Sequence, residues 1–220
     1  MEAKTFASSS NHVFTFAIFI LLAISSITLA CDDNSKYTSN TLSNSTKAND
    51  NETNPQFRTY IKKSCNSTTY PYICYKSLSR YASIIEADPI KLCNVTLSVA
   101  LKAAQSASST VLKLLKSGDI YWSNSEEEVV QDCFSNLKDS IEQLQDSLHA
   151  MKNLDGKFDK EFQLSNIKTW VSSAITNDQT CYDGFDEMNV DSTLRDKIRS
   201  RVLNVARKTS NALYFINNNY

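Results

Sequence analysis

Nucleophilic chemistry by a serine or cysteine needs a base to take its proton, and this 220-residue chain offers two histidines, His12 and His149. His12 lies in an apolar N-terminal run, so His149 would have to serve alone. Gln131, Ser135, Lys138, Glu142 and Gln145 precede it at helical steps, which places it on a polar, solvated helix face. The glycines, Gly118, Gly156 and Gly184, stand too far apart to form a phosphate-cradling loop. Carboxylates are plentiful, but no pattern sets two of them across a cleft for glycoside hydrolysis. The residues therefore point away from an enzyme and from any cofactor, and toward a protein that acts by binding.

Cysteine is the other reactive residue, present at positions 31, 65, 74, 93, 133 and 181. No CxxC or histidine-rich spacing accompanies these residues, which argues against zinc and leaves no expected metal site. Oxidation to disulfides fits the N-terminus: Lys4 is followed by apolar residues from Val13 through Leu29 and then Thr28-Leu29-Ala30 before a polar stretch, the pattern of a secretory signal peptide spanning 1–30. Six cysteines allow fifteen full pairings, and the sequence alone does not choose among them.

Residues 31–56 are dominated by Ser, Thr, Asn and Asp without hydrophobic repeat, and read as a flexible leader. Glycosylation sequons stand at Asn44, Asn51, Asn66 and Asn94, the first two inside this leader. Removing the signal, with Lys4 and Glu2, leaves 22 basic and 23 acidic residues, a balance that argues against a nucleic-acid partner. Charge is nonetheless segregated. Glu126, Glu127, Glu128 and Asp132 open one helix, as the helix dipole favours, while Arg195, Lys197, Arg199, Arg201, Arg207 and Lys208 crowd the last. That basic cluster reads mainly as a solvated face, with an acidic partner or wall polymer as the second reading.

Residues 57–220 are the right size for one domain, and their apolar spacing is helical throughout. Asp88-Pro89 starts a helix whose stripe is Leu92, Val95, Val99, Ala103, Ala107, Val111 and Leu114, up to Gly118. Ser125 and Glu128 are placed as a capping box for the second, with Val130, Cys133, Leu137, Ile141, Leu144, Leu148 and Met151 facing the core. Ser165 is placed as the cap of the third, which buries Ile167, Trp170, Ala174, Cys181, Phe185 and Met188. A fourth starts at Asp191 or Ser192 and runs through Ile198, Val202, Val205, Leu213 and Ile216. The expectation is all-α: an antiparallel up-and-down four-helix bundle, with Cys133 and Cys181 on buried stripes where a disulfide could link two helices. Ahead of it, Phe57 to Ile85 reads as short helices bent back by a local Cys65–Cys74 disulfide around a proline-containing turn.

Two segments, Gln131 to Leu148 with Asp132-Cys133 and Thr169 to Phe185 (TWVSSAITNDQTCYDGF), resemble the plant pectin methylesterase inhibitor and invertase inhibitor family. Ser210-Asn211-Ala212-Leu213 resembles its closing motif, so the likeness runs from about 57 to about 217. The resemblance implies the fold above and selects Cys65–Cys74 and Cys133–Cys181 as disulfides. Cys93 is then expected as a free thiol and Cys31 as part of a tail, with a Cys31–Cys93 bridge still open. It further implies a secreted, apoplastic or cell-wall inhibitor that covers the substrate cleft of pectin methylesterase as a monomer in a reversible one-to-one complex. Thr180 and Asp183 match family contact positions. They share a polar face with Thr169, Ser173, Thr176 and Glu187, beside the polar face of the second helix with Lys138 and Glu142. Acid invertase is the alternative target, but its branch's Pro-Lys-Phe motif has only Gly156-Lys157-Phe158 as counterpart here. A reading from another class, a secreted helical carrier of a small apolar ligand, would require a lined cavity between the helices.

Overall fold

The computed structural model describes residues 55–117, 122–154, 159–186 and 190–220. Among them there is no strand. Helices α1 (Pro55–Asn66) and α2 (Pro71–Leu78) form a hairpin, followed by a 3₁₀ turn (Ser79–Tyr81) and the short α3 (Ala82–Ile85). Four long helices then follow: α4 (Pro89–Leu115), α5 (Asn124–Lys152), α6 (Lys160–Asp183) and α7 (Ser192–Asn219). Each packs on two others in a closed ring, α4 on α5 and α7, and α6 on α5 and α7. This is the expected antiparallel up-and-down four-helix bundle with its disulfide-closed hairpin.

Three of the four long helices, α4, α5 and α7, start on a side-chain cap. Asp88 accepts hydrogen bonds from the Ile90 and Lys91 N–H groups at 2.7 and 3.0 Å, and Pro89 at the first turn gives up no needed donor. Asp191 accepts from the Leu194 N–H at 2.9 Å. The capping box of α5 is Ser123 with Glu126, two residues earlier than the expected Ser125 and Glu128. Glu126 reaches back to the Ser123 N–H and also accepts from the Asp191 N–H at 3.3 Å, so one carboxylate ties the starts of α5 and α7 together. Those hydrogen bonds, Ser123's first among them, hold its pKa below the ordinary carboxylate value. α6 starts at Lys160 and not at Ser165, which lies inside the helix with its carbonyl accepting from the Thr169 hydroxyl. Gln163 and Asp159 make the local contact at that start, 2.9 Å apart.

The buried stripes are more regular than the apolar pattern suggested. α5 buries Val130, Cys133, Leu137, Ser140, Leu144, Ser147 and Met151, in strict alternation of three and four. Ile141 and Leu148, expected in the core, are only partly buried at its flank. α6 buries Ile167, Val171, Ala174, Asp178 and Cys181, and Phe185 just past its end is also buried, with Trp170 at the side. α7 continues the same seven-residue seam through Ile198, Val202, Val205, Thr209, Ala212 and Ile216. This seam is the one that left-handed bundles use. Ser147 and Thr209 are tolerated there because each hydroxyl donates to the carbonyl four residues back, Gln143 at 2.7 Å and Val205 at 3.0 Å.

The hairpin has its own core of Ile61, Cys65, Cys74, Leu78, Ala82 and Ile85, closed over the start of α4 and the end of α7 by Leu92, Cys93, Val99 and Phe215. Asn211 fixes it from below. Its amide oxygen accepts from the Tyr70 N–H and its amide nitrogen donates to the Tyr70 carbonyl, both at 3.1 Å across 141 residues of sequence. Cys93 is a buried free thiol, and burial pushes its pKa up to about 11. Among the described residues no helix is long and apolar enough to cross a membrane.

Candidate docking surface

Cys133 in the early part of α5 and Cys181 at the end of α6 form one disulfide, and Cys65 and Cys74 form the other, with Cα–Cα distances of 4.2 and 5.5 Å. The first fixes the antiparallel register of α5 on α6. Nearly three turns further along α5, Gln143 donates to the Ser173 hydroxyl at 2.9 Å and accepts from the Asn177 amide at 3.1 Å. Ser173 is therefore half-buried and engaged in the seam, not on an open face. The sequence does not single out Gln143 and Asn177, since long amides at a helix flank carry no periodic signal.

The segment around Cys181 divides cleanly by helical phase. Cys181 and Phe185 enter the core, and Gly184 lets the end of α6 lie against α5, because a Cβ there would stand 3.3 Å from the Val129 methyl. Thr169, Thr176, Thr180 and Asp183 point the other way and are exposed. The Thr180 hydroxyl donates to the Thr176 carbonyl at 3.0 Å and Thr176 to the Ser172 carbonyl at 3.3 Å, which leaves their oxygen lone pairs and methyl groups outward. The Asp183 carboxylate has no partner among the described residues. Glu187, expected on the same face, lies outside them, as do Asn44, Asn51, Cys31 and the Gly156-Lys157-Phe158 trio.

Lys138 and Glu142 are exposed but take no part in the Gln143–Ser173–Asn177 network. Lys138 stands five residues before Gln143, which turns it about 140° around α5 and away from the α6 seam. Glu142 stands about 100° round from Gln143, so neither side chain lies in the α5–α6 seam. His149 is exposed, its ring Nε2 3.2 Å from the Asn153 amide, in keeping with a solvent-facing residue. Of the two described sequons, Asn66 is exposed at the end of α1. Asn94 is half-buried within α4, its amide donating to the Ile90 carbonyl at 3.1 Å.

The sequence profile of the family described as "Plant invertase/pectin methylesterase inhibitor" matches residues 59–215. The chain belongs to this family. Among members of this inhibitor family, Pectinesterase inhibitor 10 of Arabidopsis thaliana is 43% identical over 160 residues, which span 72% of this chain and 50% of that protein. The 21 kDa protein of Daucus carota is 38% identical over 161 residues, 72% of this chain and 82% of that one. Pectinesterase inhibitor 4 of Arabidopsis thaliana is 38% identical over 157 residues, 70% and 78% of the respective chains. In three dimensions the fold is similar to the crystal structure of mutant form A of a pectin methylesterase inhibitor from Arabidopsis. That likeness has a TM-score of 0.58 at 16% identity and covers 71% of this chain and 95% of that one.

Proposed function

We propose that this protein inhibits a plant pectin methylesterase, by seating the exposed face of α6 in the enzyme's substrate cleft as a reversible one-to-one complex. The observation that carries this reading is the division of the TCYDGF segment. Its buried residues account for the fold, whereas Thr180 and Asp183, one turn apart, are exposed and the Asp183 carboxylate is unused by the bundle. Relatives at 38–43% identity that carry the name pectinesterase inhibitor support the target. Exclusion of pectin is steric, so the inhibitor needs no reacting group. Thr176 and Glu142 border the patch, with Glu187 as a further contact, and Ser173 supports it from the seam. Secretion to the cell wall as a monomer, with a glycan at Asn66 well clear of α6, completes the reading.

Titration against a pectin methylesterase, following released methanol, and against an acid invertase in parallel tests the target. Inhibition of the invertase alone would overturn it. Thr180→Ala and Asp183→Ala test the face: loss of a charge-assisted interfacial hydrogen bond costs about 2 kcal/mol or more, against under about 0.5 kcal/mol for an ordinary surface change. Both variants should weaken inhibition without lowering the unfolding temperature. Wild-type inhibition by both would remove this face from the interface.

A further inference from the structure

The seam between α4 and α7, on the other side of the bundle from the α5–α6 seam, holds a cavity of about 300 Å³ capped by α2 and the 3₁₀ turn. Four cations from three elements line it: Arg80, Lys102, Arg201 and Lys208. A second cavity of about 210 Å³ shares Arg80, Asn204 and Lys208 with the first and adds Lys76 and Tyr72, so the two run on as one groove. Among the described residues no acidic side chain lines either one. The larger volume reaches the lower end of the range for small-ligand sites.

The cations here differ from their neighbours. Arg199 pairs with Asp186 at 2.8 Å, and Arg207 stacks on Tyr70. Among the described residues Arg80, Lys102, Arg201 and Lys208 form no ion pair. Lys208 is half-buried, and burial first, then the charge of Arg80, lowers its pKa. Like charges gathered in a concavity raise the local potential and favour an anion that the fold itself does not supply.

We propose that this groove binds an acidic oligosaccharide, a run of uronate sugars whose carboxylates meet Arg80, Lys102, Arg201 and Lys208. Cations spread along an elongated groove suit repeated negative charges better than one compact phosphate. Ser106 and Asn204 are exposed and offer hydrogen bonds to ring hydroxyls, and at the outer end Tyr72, 75% exposed, has the Lys76 ammonium 5.5 Å from its ring centroid, which adds a further cation there. The site stands on its own geometry; only the naming of de-esterified pectin as its source rests on the inhibitory function proposed above. Such binding would hold the inhibitor at the product of its target while leaving the α6 face free.

Calorimetric titration of the full chain with oligogalacturonate at low ionic strength should show saturable binding that weakens as salt rises. The same oligomer fully methyl-esterified should not bind, nor should inorganic phosphate at equal concentration. Lys102→Glu with Arg201→Glu should weaken binding about tenfold or more, because both charges reverse in the groove. The charge-matched pair Lys62→Glu and Lys63→Glu on α1 should leave it within about twofold. Complex formation of the wild-type chain with pectin methylesterase, followed by size-exclusion chromatography without pectin, tests the inhibitory reading by itself; the groove variants should form the same complex, and its loss in them alone would overturn the separation of the groove from the docking face. Absence of binding, equal binding of the esterified oligomer or of phosphate, or an equal loss in the α1 variants would overturn the proposal.

Discussion

Asn211 shows how much one side chain carries when both its amide atoms face another segment's backbone. It is 1% exposed, and its two hydrogen bonds satisfy the N–H and C=O of Tyr70 at the turn of the hairpin. Tyr70 is the N-cap of α2, with φ −127° and ψ 72°; its carbonyl also accepts from the Cys74 N–H at 2.9 Å, whereas its N–H has no partner within the helix. Asn211→Ala would strand the part-buried Tyr70 N–H, at about 2 kcal/mol, while the carbonyl keeps its bond from Cys74. For a domain of this size that is a fall of about 4–8 °C in unfolding temperature. Differential scanning calorimetry measures it. Asn211→Asp should recover part of the loss, because a carboxylate still accepts from the Tyr70 N–H; an alanine variant as stable as wild type would mean that water replaces the amide. The asparagine was visible in the sequence as part of a motif, but its partner, 141 positions away, was not.

At the level of the helix, polarity within a seam decides both what the sequence conceals and how stability responds to pH. The four long helices were legible because apolar residues recur every three or four positions. The phase of α5 was read one residue off at Ile141 and Leu148, because Ser140 and Ser147 occupy the seam and do not register as apolar. Asp178 escaped notice for the same reason. It is fully buried in α6, and no hydrogen bond of normal geometry reaches either carboxylate oxygen or the Ser140 hydroxyl beside it. Burial raises its pKa from the ordinary 3.8 to about 8, opposed only weakly by Ser140. Between those values the folded chain holds a proton that the unfolded chain has released. Stability from this group is therefore complete below about pH 4, falls by about 1 kcal/mol per pH unit as pH rises, and levels off above about pH 8. Denaturant midpoints measured across that window should decline in wild type, while Asp178→Asn, which cannot ionise, should flatten the slope and be the more stable protein at neutral pH. Parallel profiles would show that Asp178 is ionised in the fold.

Across the whole molecule, two hydrophobic clusters each have their own disulfide, one in the hairpin and one in the bundle. Tyr220 packs against both clusters, and the bundle's buried stripe passes into the hairpin's core at Phe215 and Ile216 on α7. The bonded cysteines are 9 and 48 residues apart in sequence. By the chain-entropy model they constrain the unfolded chain by about 3 and 4 kcal/mol respectively, so overall stability barely distinguishes them. Their native settings do. Cys65 and Cys74 join two short helices that rest on one end of the bundle, whereas Cys133 and Cys181 join two helices that run its full length. Breaking the first with Cys65→Ala and Cys74→Ala should lower hydrogen-exchange protection in α1 and α2 while α5 and α6 keep theirs, and inhibition should persist at low temperature. Breaking the second with Cys133→Ala and Cys181→Ala should lower protection along both α5 and α6 and weaken inhibition in step, because the proposed docking face is carried by α6 in register with α5. Uniform loss of protection in both variants would instead show that the hairpin and the bundle unfold as one cooperative unit.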